Sequence, residues 1–353
     1  MAQWNKINQE RDNGESTIMT APFIISASRS TDIPAFYCDW FFHRLRTGYC
    51  KWINPFNGAD QFISFKNVQF IVFWTKNPAP LLPYLKILDD LGIGWYIQYT
   101  LNDYEAENLE KGVPCLSQRI DTFSKLTSCY GPDRVIWRFD PLILTDTIDE
   151  DVLSEKIQRI GDQLHPHTKK LVFSFADITN YAKVKRNLTL NSIHYVDWDT
   201  YRMKRFCERL VALNRNWGLS LATCSEKIDL EKLGILHNRC VDDELIIKLA
   251  HDNPTLMKFL GVTFHIAPEP DLFGNRPQLP EQAILLDNGK YALRGNNTDS
   301  GQRALCGCIN SKDIGQYNTC THLCEYCYAN TSKEMAKLNY EKHRLNPFEE
   351  SIF

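Results

Sequence analysis

Hydrophobic positions along the chain follow two alternating periods. Short runs rich in β-branched and aromatic residues are separated by stretches in which apolar residues recur every three or four positions. The first pattern is typical of buried strands and the second of amphipathic helices. The predicted strands cover residues 23–28, 69–75, 95–101, 134–139, 170–175, 219–223 and 261–266.

Helical periodicity fills the intervals between these strands. The clearest pattern runs through 153–164 after a candidate N-cap at Thr147, and a second covers 203–213. Residues 81–91 show the same period, and a polar helix is predicted over 334–344. Strands that alternate with helices favour a parallel sheet with crossover helices.

Six or seven such units predict an α/β fold of the (β/α) TIM-barrel type, complete or partial, with a doubly wound open sheet as the alternative. The whole chain, 1–353, is predicted to be a single domain. Within it, the proline-rich residues 267–303 are an excursion that contains a hairpin with an Asn288-Gly289 turn. Residues 304–330 form the region that carries clustered cysteines.

Composition narrows the class of protein. The chain has 353 residues, of which 43% are hydrophobic, and a formal net charge of −3. This content supports a folded core, and the acidic balance disfavours sequence-independent binding of nucleic acid. The N-terminus has no signal-peptide pattern and the apolar runs are too short to cross a bilayer, so a cytoplasmic protein without a membrane partner is expected.

The cysteines are unevenly distributed. Five of the twelve fall within 306–327, where Cys320, Cys324 and Cys327 form a C-x3-C-x2-C pattern that we call the cysteine triplet. Because thiols stay reduced in the cytosol, a metal site is expected rather than disulfides. Three thiolates can hold a [4Fe–4S] cluster and leave its fourth iron open. A zinc site, with Cys306, Cys308 or His322 as further ligands, is the alternative.

The triplet, with Tyr326 just before its third cysteine, closely resembles the motif of the radical S-adenosylmethionine superfamily. That resemblance implies a [4Fe–4S] cluster whose open iron binds S-adenosylmethionine. Reductive cleavage of this cofactor would release a 5′-deoxyadenosyl radical that abstracts hydrogen from a substrate. It also implies that Tyr326 lies against the adenine, and that a flavodoxin- or ferredoxin-type protein donates the electron.

Three predicted strand ends, at 73–78, 99–102 and 136–141, resemble those of the spore photoproduct lyase-like branch of this superfamily. The resemblance assigns four residues to the carboxylate, ribose and methionyl regions of the cofactor. These are Lys76, Thr100, Asn102 and Arg138.

The chain as a whole, from about residue 23 to 330, resembles the bacterial domain-of-unknown-function 1848 family through segments 28–35, 223–226, 306–308 and 313–317. In most of the superfamily the cysteine loop follows the first barrel strand, whereas here it follows all the others. The resemblance therefore implies a circular permutation, in which 313–319 supplies the strand beside 23–28.

Four further cysteines could form a second metal site. Cys224 ends a predicted strand, Cys240 follows it in the segment 236–240, and Cys306 and Cys308 precede the triplet. Four thiolates suffice for either a second [4Fe–4S] cluster or a zinc ion. If the four residues converge, the cluster is favoured, because it could relay electrons to the first cluster. We call these four residues the second cysteine group.

The sequence thus predicts a radical S-adenosylmethionine enzyme with an unidentified substrate. A DNA photoproduct repair lyase is one alternative, which the acidic net charge disfavours without excluding nucleic acid. A non-enzymatic zinc or iron–sulfur binding module is the other.

Overall fold

The computed structural model describes residues 4–268, 278–299, 301–302 and 305–353. Its strands are β1 Asn5–Glu10, β2 Ser16–Ala21, β3 Ile24–Ala27, β4 Tyr49–Ile53, β5 Asp60–Ser64, β6 Phe70–Thr75, β7 Gly94–Thr100, β8 Val135–Leu142, β9 Leu144–Thr145, β10 Lys170–Phe175, β11 Tyr195–Val196, β12 Ser220–Thr223, β13 Leu236–His237, β14 Thr263–Ile266, β15 Ile284–Leu285, β16 Lys290–Leu293 and β17 Lys312–Asp313. Its α-helices are α1 Ile33–Phe36, α2 Cys38–Thr47, α3 Leu85–Asp90, α4 Leu116–Tyr130, α5 Glu150–Leu164, α6 Ala182–Leu190, α7 Thr200–Asn214, α8 Asp243–Ala250, α9 Pro254–Phe259 and α10 Lys333–Leu345.

Eight parallel strands form the central sheet, in the order β17-β3-β6-β7-β8-β10-β12-β13. Helices connect most neighbouring strands, so the predicted α/β class is confirmed. Among the described strands, β17 and β13 each pair on one side only, and the sheet is open between them. This arrangement is compatible with a partial TIM-like α/β fold.

The last strand of the sheet in chain order lies beside the first. Residues 312 and 313 pair with Ile25 and Ser26. The segment 313–319 was predicted to lie beside 23–28, and its first residue, Asp313, does so. The Asp313 carboxylate accepts hydrogen bonds from the hydroxyl of Ser28, at 2.7 Å, and the backbone N–H of Arg29, at 2.8 Å. The start of the cysteine region is thereby fixed to the end of β3.

The two faces of the sheet carry separate apolar clusters. One contains the fully buried Trp95 and Trp137 and the apolar sides of α2, α4, α5 and α7. The other contains Val72, Tyr96 and Val172 together with α8 and α9. The alternation of side chains along each strand assigns successive residues to opposite clusters.

Several local predictions differ from the structure. Residues 261–266 do form a strand, but β14 belongs to a separate antiparallel sheet with β16 and β15. The edge position beside β12 in the parallel sheet is occupied by β13 instead. This strand has only two residues and is too short to leave a periodic signal. The N-cap of α5 is Asp149 instead of Thr147, because the Asp149 carboxylate accepts the N–H of Val152 at 2.9 Å.

The remaining differences follow from similar causes. The 81–91 pattern is a 3₁₀ turn followed by the short α3, and Pro83 lies inside that turn. The N-terminal strands β1, β2, β5 and β4 form a further sheet that the hydrophobic pattern did not predict. The hairpin turn at Asn288-Gly289 is confirmed, while parts of the predicted excursion at 269–277, 300 and 303 lie outside the described residues.

None of the helices in the described ranges has both the length and the apolar character needed to cross a membrane.

Candidate functional site

The loop of the cysteine triplet lies at the carboxyl ends of the parallel strands, where (β/α) folds place their active sites. The loop between β7 and α4 holds it in place, because the N–H of Glu325 donates to the carbonyl of Leu109 at 2.9 Å. In the reverse direction, the N–H of Gly112 donates to the carbonyl of His322 at 2.8 Å. These contacts fix the loop backbone on both sides of Cys324.

Of the three thiols of the triplet, Cys324 is buried and the other two are partly exposed. Burial raises the pKa of the Cys320 thiol, and the neighbouring Cys327 and Cys324 raise that pKa further. The backbone N–H of Asn330 donates to Cys327 Sγ at 3.4 Å.

The donors that could complete a zinc site at the triplet are engaged elsewhere. His322 Nε2 lies 2.7 Å from Asp32 Oδ2, and its Nδ1 lies 3.3 Å from the carbonyl of Gly112. Cys308 receives the backbone N–H of Cys240 at 3.2 Å and belongs to the second cysteine group. The loop thus offers three thiols, the donor set that suits a cubane with one open iron.

Within the part of the chain that the structure describes, no three His, Cys, Asp or Glu side chains stand in an arrangement that could hold a metal ion as they are. The triplet and the second cysteine group have the right donor chemistry. Their side chains would have to rotate to ligate a metal.

A buried polar network lies beside the triplet. Lys76 Nζ donates to Glu110 Oε1 at 2.6 Å and to the hydroxyl of Tyr326 at 3.1 Å. Asn102 Nδ2 donates to the same two oxygens, at 3.0 and 3.1 Å, and the Tyr326 hydroxyl also donates to Glu110. The structure therefore brings together three of the five predicted cofactor residues, Lys76, Asn102 and Tyr326.

Glu110 is the central acceptor of this network, and the sequence motifs did not reveal it. Burial alone would raise the pKa of its carboxyl, but Lys76 and Arg119 outweigh that effect and hold the pKa at about 2. Glu110 Oε2 and Arg119 Nη1 lie 3.8 Å apart, and neither atom has a hydrogen-bond partner. No motif marks Glu110, because it lies in a loop well beyond the end of β7.

The two other predicted cofactor residues are Thr100, at the end of β7, and Arg138, on β8. Thr100 is paired with Arg138 across β7 and β8. The Arg138 guanidinium donates to Gln98 Oε1 and to Cys240 Sγ, both at 3.2 Å, and forms an ion pair with Asp140. Arg138 therefore contacts the second cysteine group.

The second cysteine group is brought together from three places in the chain. Cys224 follows β12, Cys240 follows β13, and the other two precede β17. The Sγ atoms of Cys224 and Cys240 are 3.4 Å apart, and Cys308 interacts with both Cys240 and Cys306. The sequence alone could not show this convergence, because it depends on the sheet order.

We expect Gly112→Ala to reduce iron incorporation strongly. A Cβ atom at Gly112 would lie 2.3 Å from the carbonyl oxygen of Thr321 and 2.9 Å from that of His322, so the cysteine loop would have to move. Iron per chain after anaerobic reconstitution measures the effect. Gly58→Ala is the matched control, since its Cβ meets nothing within 4 Å and its positive φ costs about 1 kcal/mol. Equal iron content in the two variants would contradict the expectation.

Comparisons with known proteins add one match that covers most of the chain. A family model described as "Domain of unknown function (DUF1848)" matches residues 24–329. No curated protein matches the chain. Among solved structures, a "putative alpha-L-fucosidase" from Bacteroides thetaiotaomicron VPI-5482 shares 12% sequence identity, with a TM-score of 0.21 over 47% of this chain and 69% of that chain. At that TM-score the similarity carries no information about function.

Proposed function

Because the chain belongs to the DUF1848 family, whose description assigns no function, we propose its function from the site itself: a radical S-adenosylmethionine enzyme. The observation that carries this proposal is the pairing of three thiols with the buried Lys76–Glu110–Asn102–Tyr326 network at the carboxyl end of the parallel sheet. A metal-binding module would need the thiols but has no use for this network.

Cys320, Cys324 and Cys327 would hold a [4Fe–4S] cluster by three of its irons. When bound, the cluster with its electron donor supplies one electron to S-adenosylmethionine, which breaks the bond between sulfur and the 5′ carbon to give methionine and a 5′-deoxyadenosyl radical. A reduced flavodoxin or ferredoxin is the kind of partner that supplies such an electron.

The residues of the network would position the cofactor. Lys76 carries a positive charge beside the triplet, and Glu110 keeps it ionised because the carboxylate raises the pKa of Lys76 against the effect of burial. This ammonium suits the cofactor's carboxylate, and Tyr326, 8% exposed, offers a ring to the adenine. Asn102 fixes the positions of Glu110 and Tyr326, because its Nδ2 donates a hydrogen bond to each. Thr100 remains a candidate contact to the ribose.

The sheet order supports a circularly permuted, partial TIM-type barrel. β17 and the triplet come last in the chain, yet they lie outside β3, where a first strand and its loop would lie in an unpermuted barrel. In this proposal the triplet takes the role of the cysteine loop in the superfamily that the sequence resembles.

Anaerobic reconstitution of the full chain tests the proposal. We expect the reconstituted protein, given S-adenosylmethionine and dithionite, to form 5′-deoxyadenosine, quantified by chromatography. A cluster that forms without any cleavage of the cofactor would indicate a binding module. Protein that takes up zinc and no iron at the triplet would overturn both the enzyme and the iron–sulfur module.

A further inference from the structure

We infer that Cys224, Cys240, Cys306 and Cys308 bind one tetrahedral Zn²⁺ ion, which is structural and separate from the cysteine triplet. Cys224 Sγ and Cys240 Sγ are 3.4 Å apart, and Cys308 interacts with Cys240 and with Cys306. These contacts link the four residues in one group, and their side chains would have to rotate to complete the coordination.

The spacing of the sulfurs favours a single ion over a second cubane. A Zn–S bond of about 2.3 Å places tetrahedral ligand sulfurs about 3.8 Å apart. In a [4Fe–4S] cluster each cysteine binds a different iron, so the ligand sulfurs lie much farther apart than that. The 3.4 Å contact between Cys224 and Cys240 is close to the first value. The geometry thus favours zinc where the sequence favoured a second iron–sulfur cluster.

The surroundings of the group suit thiolates. Cys240 Sγ receives hydrogen bonds from Arg138 Nη1, at 3.2 Å, and from Asn238 Nδ2, at 3.1 Å. Cys308 Sγ receives the backbone N–H groups of Cys240 and Val241, at 3.2 and 3.4 Å. Such donors stabilise the negative charge on metal-bound sulfur and fix its position.

Charge balance also supports a thiolate-bound metal centre at this group. Four thiolates on a divalent cation carry roughly two negative charges. Arg29 and Arg138 supply two positive charges beside the thiols, and the Cζ atom of each lies 5.3 Å from the centroid of the Trp74 ring. Asp313 lies near Arg29, and Asp140 lies near Arg138. One buried nitrogen of Arg29, Nη2, has no hydrogen-bond partner. An anionic metal centre would compensate this buried positive charge.

The position of the group indicates what the ion does. Cys240 lies just beyond β13, at one edge of the open sheet, and Cys308 lies just before β17, at the other. Besides the contact between these two residues, the N–H of Ile309 donates to the carbonyl of Val241 at 3.1 Å. Among the described strands, the two edge strands β13 and β17 do not pair with each other. Zinc bound here would join the segment after β13 to the segment before β17.

The test uses the full chain with Cys320, Cys324 and Cys327 replaced by alanine, so that iron at the triplet does not contribute. We expect about one zinc per chain by elemental analysis, and a tetrahedral thiolate absorption spectrum when Co²⁺ replaces the zinc. About four irons per chain and no zinc would overturn the proposal in favour of a cubane. No metal after supply of both would overturn it altogether.

A single variant in the otherwise native chain gives a second measurement. Cys306→Ala should lose most of the zinc at the second cysteine group, and chelation should lower the Tm of the native chain by about 5–10 °C but leave this variant's Tm unchanged. Cys129→Ala is the control, because Cys129 is an exposed thiol on α4. Equal chelator sensitivity of Cys306→Ala and Cys129→Ala would contradict the site. Neither measurement depends on cleavage of S-adenosylmethionine.

Discussion

Cys324→Ala should reduce formation of 5′-deoxyadenosine more than about 100-fold, to the level measured without protein. Each thiol of the triplet is one of only three protein ligands that the loop offers a cluster. Cys324 is also the most tightly placed, because it forms a β-bridge with Glu110 and is 8% exposed. Two thiols are too few to hold a cubane with an open iron, so iron content should fall together with activity.

Cys207→Ala is the matched control for this loss. Cys207 is a fully buried thiol on α7 that belongs to neither cysteine group, and removing its sulfur costs about 1 kcal/mol of packing. Its iron content and product yield should equal those of the native chain. A Cys324→Ala protein that retains half of the native iron and product would refute the role of the triplet.

Glu110→Ala should lower the free energy of unfolding by about 3–5 kcal/mol, the usual cost of breaking a buried ion pair by removing one partner. The Glu110 carboxylate is 3% exposed and accepts Lys76 Nζ at 2.6 Å. Its pKa of about 2 means that it is ionised at neutral pH, so its removal leaves the Lys76 ammonium with no anionic partner in the network. Denaturant unfolding at pH 7 measures the change.

A double-mutant cycle separates this pair from general damage to the loop. Lys76→Met combined with Glu110→Gln should cost less than the sum of the two single changes, since no unpaired charge is left buried. Asp90→Ala is the control, because the exposed Lys86–Asp90 pair has a similar distance, 2.8 Å, and is worth less than about 1 kcal/mol. Additive costs at Lys76 and Glu110 would show that the two charges are not coupled.

The sequence alone predicts the parallel strands that carry strong apolar patterns, from β3 to β12, because burial on both faces of the sheet imposes those runs. It also predicts Lys76, Asn102 and Tyr326 as members of one site, through their motifs. It does not predict Glu110, whose place in the network depends on which loop lies against which. Side-chain partners brought together by sheet order leave no periodic signal in the chain.

The second cysteine group shows the same limit from another side. The sequence identifies its four members as thiols that could bind a metal, but their spacing along the chain is irregular. Only the folded sheet, with β13 at one edge and β17 at the other, brings Cys240 and Cys308 into contact. The 3.4 Å distance between Cys224 Sγ and Cys240 Sγ, on which the proposal of a single zinc ion rests, cannot be read from the sequence.

The late position of β17 has a consequence for biosynthesis. β3 ends at residue 27 and its outer neighbour begins at residue 312, so a translating ribosome delivers the two on the order of tens of seconds apart. During that interval the hydrogen-bonding edge of β3 is open to unwanted pairing with other nascent chains. Under the proposed function, assembly of a cluster on the triplet would begin only after every strand of the central sheet has been synthesised.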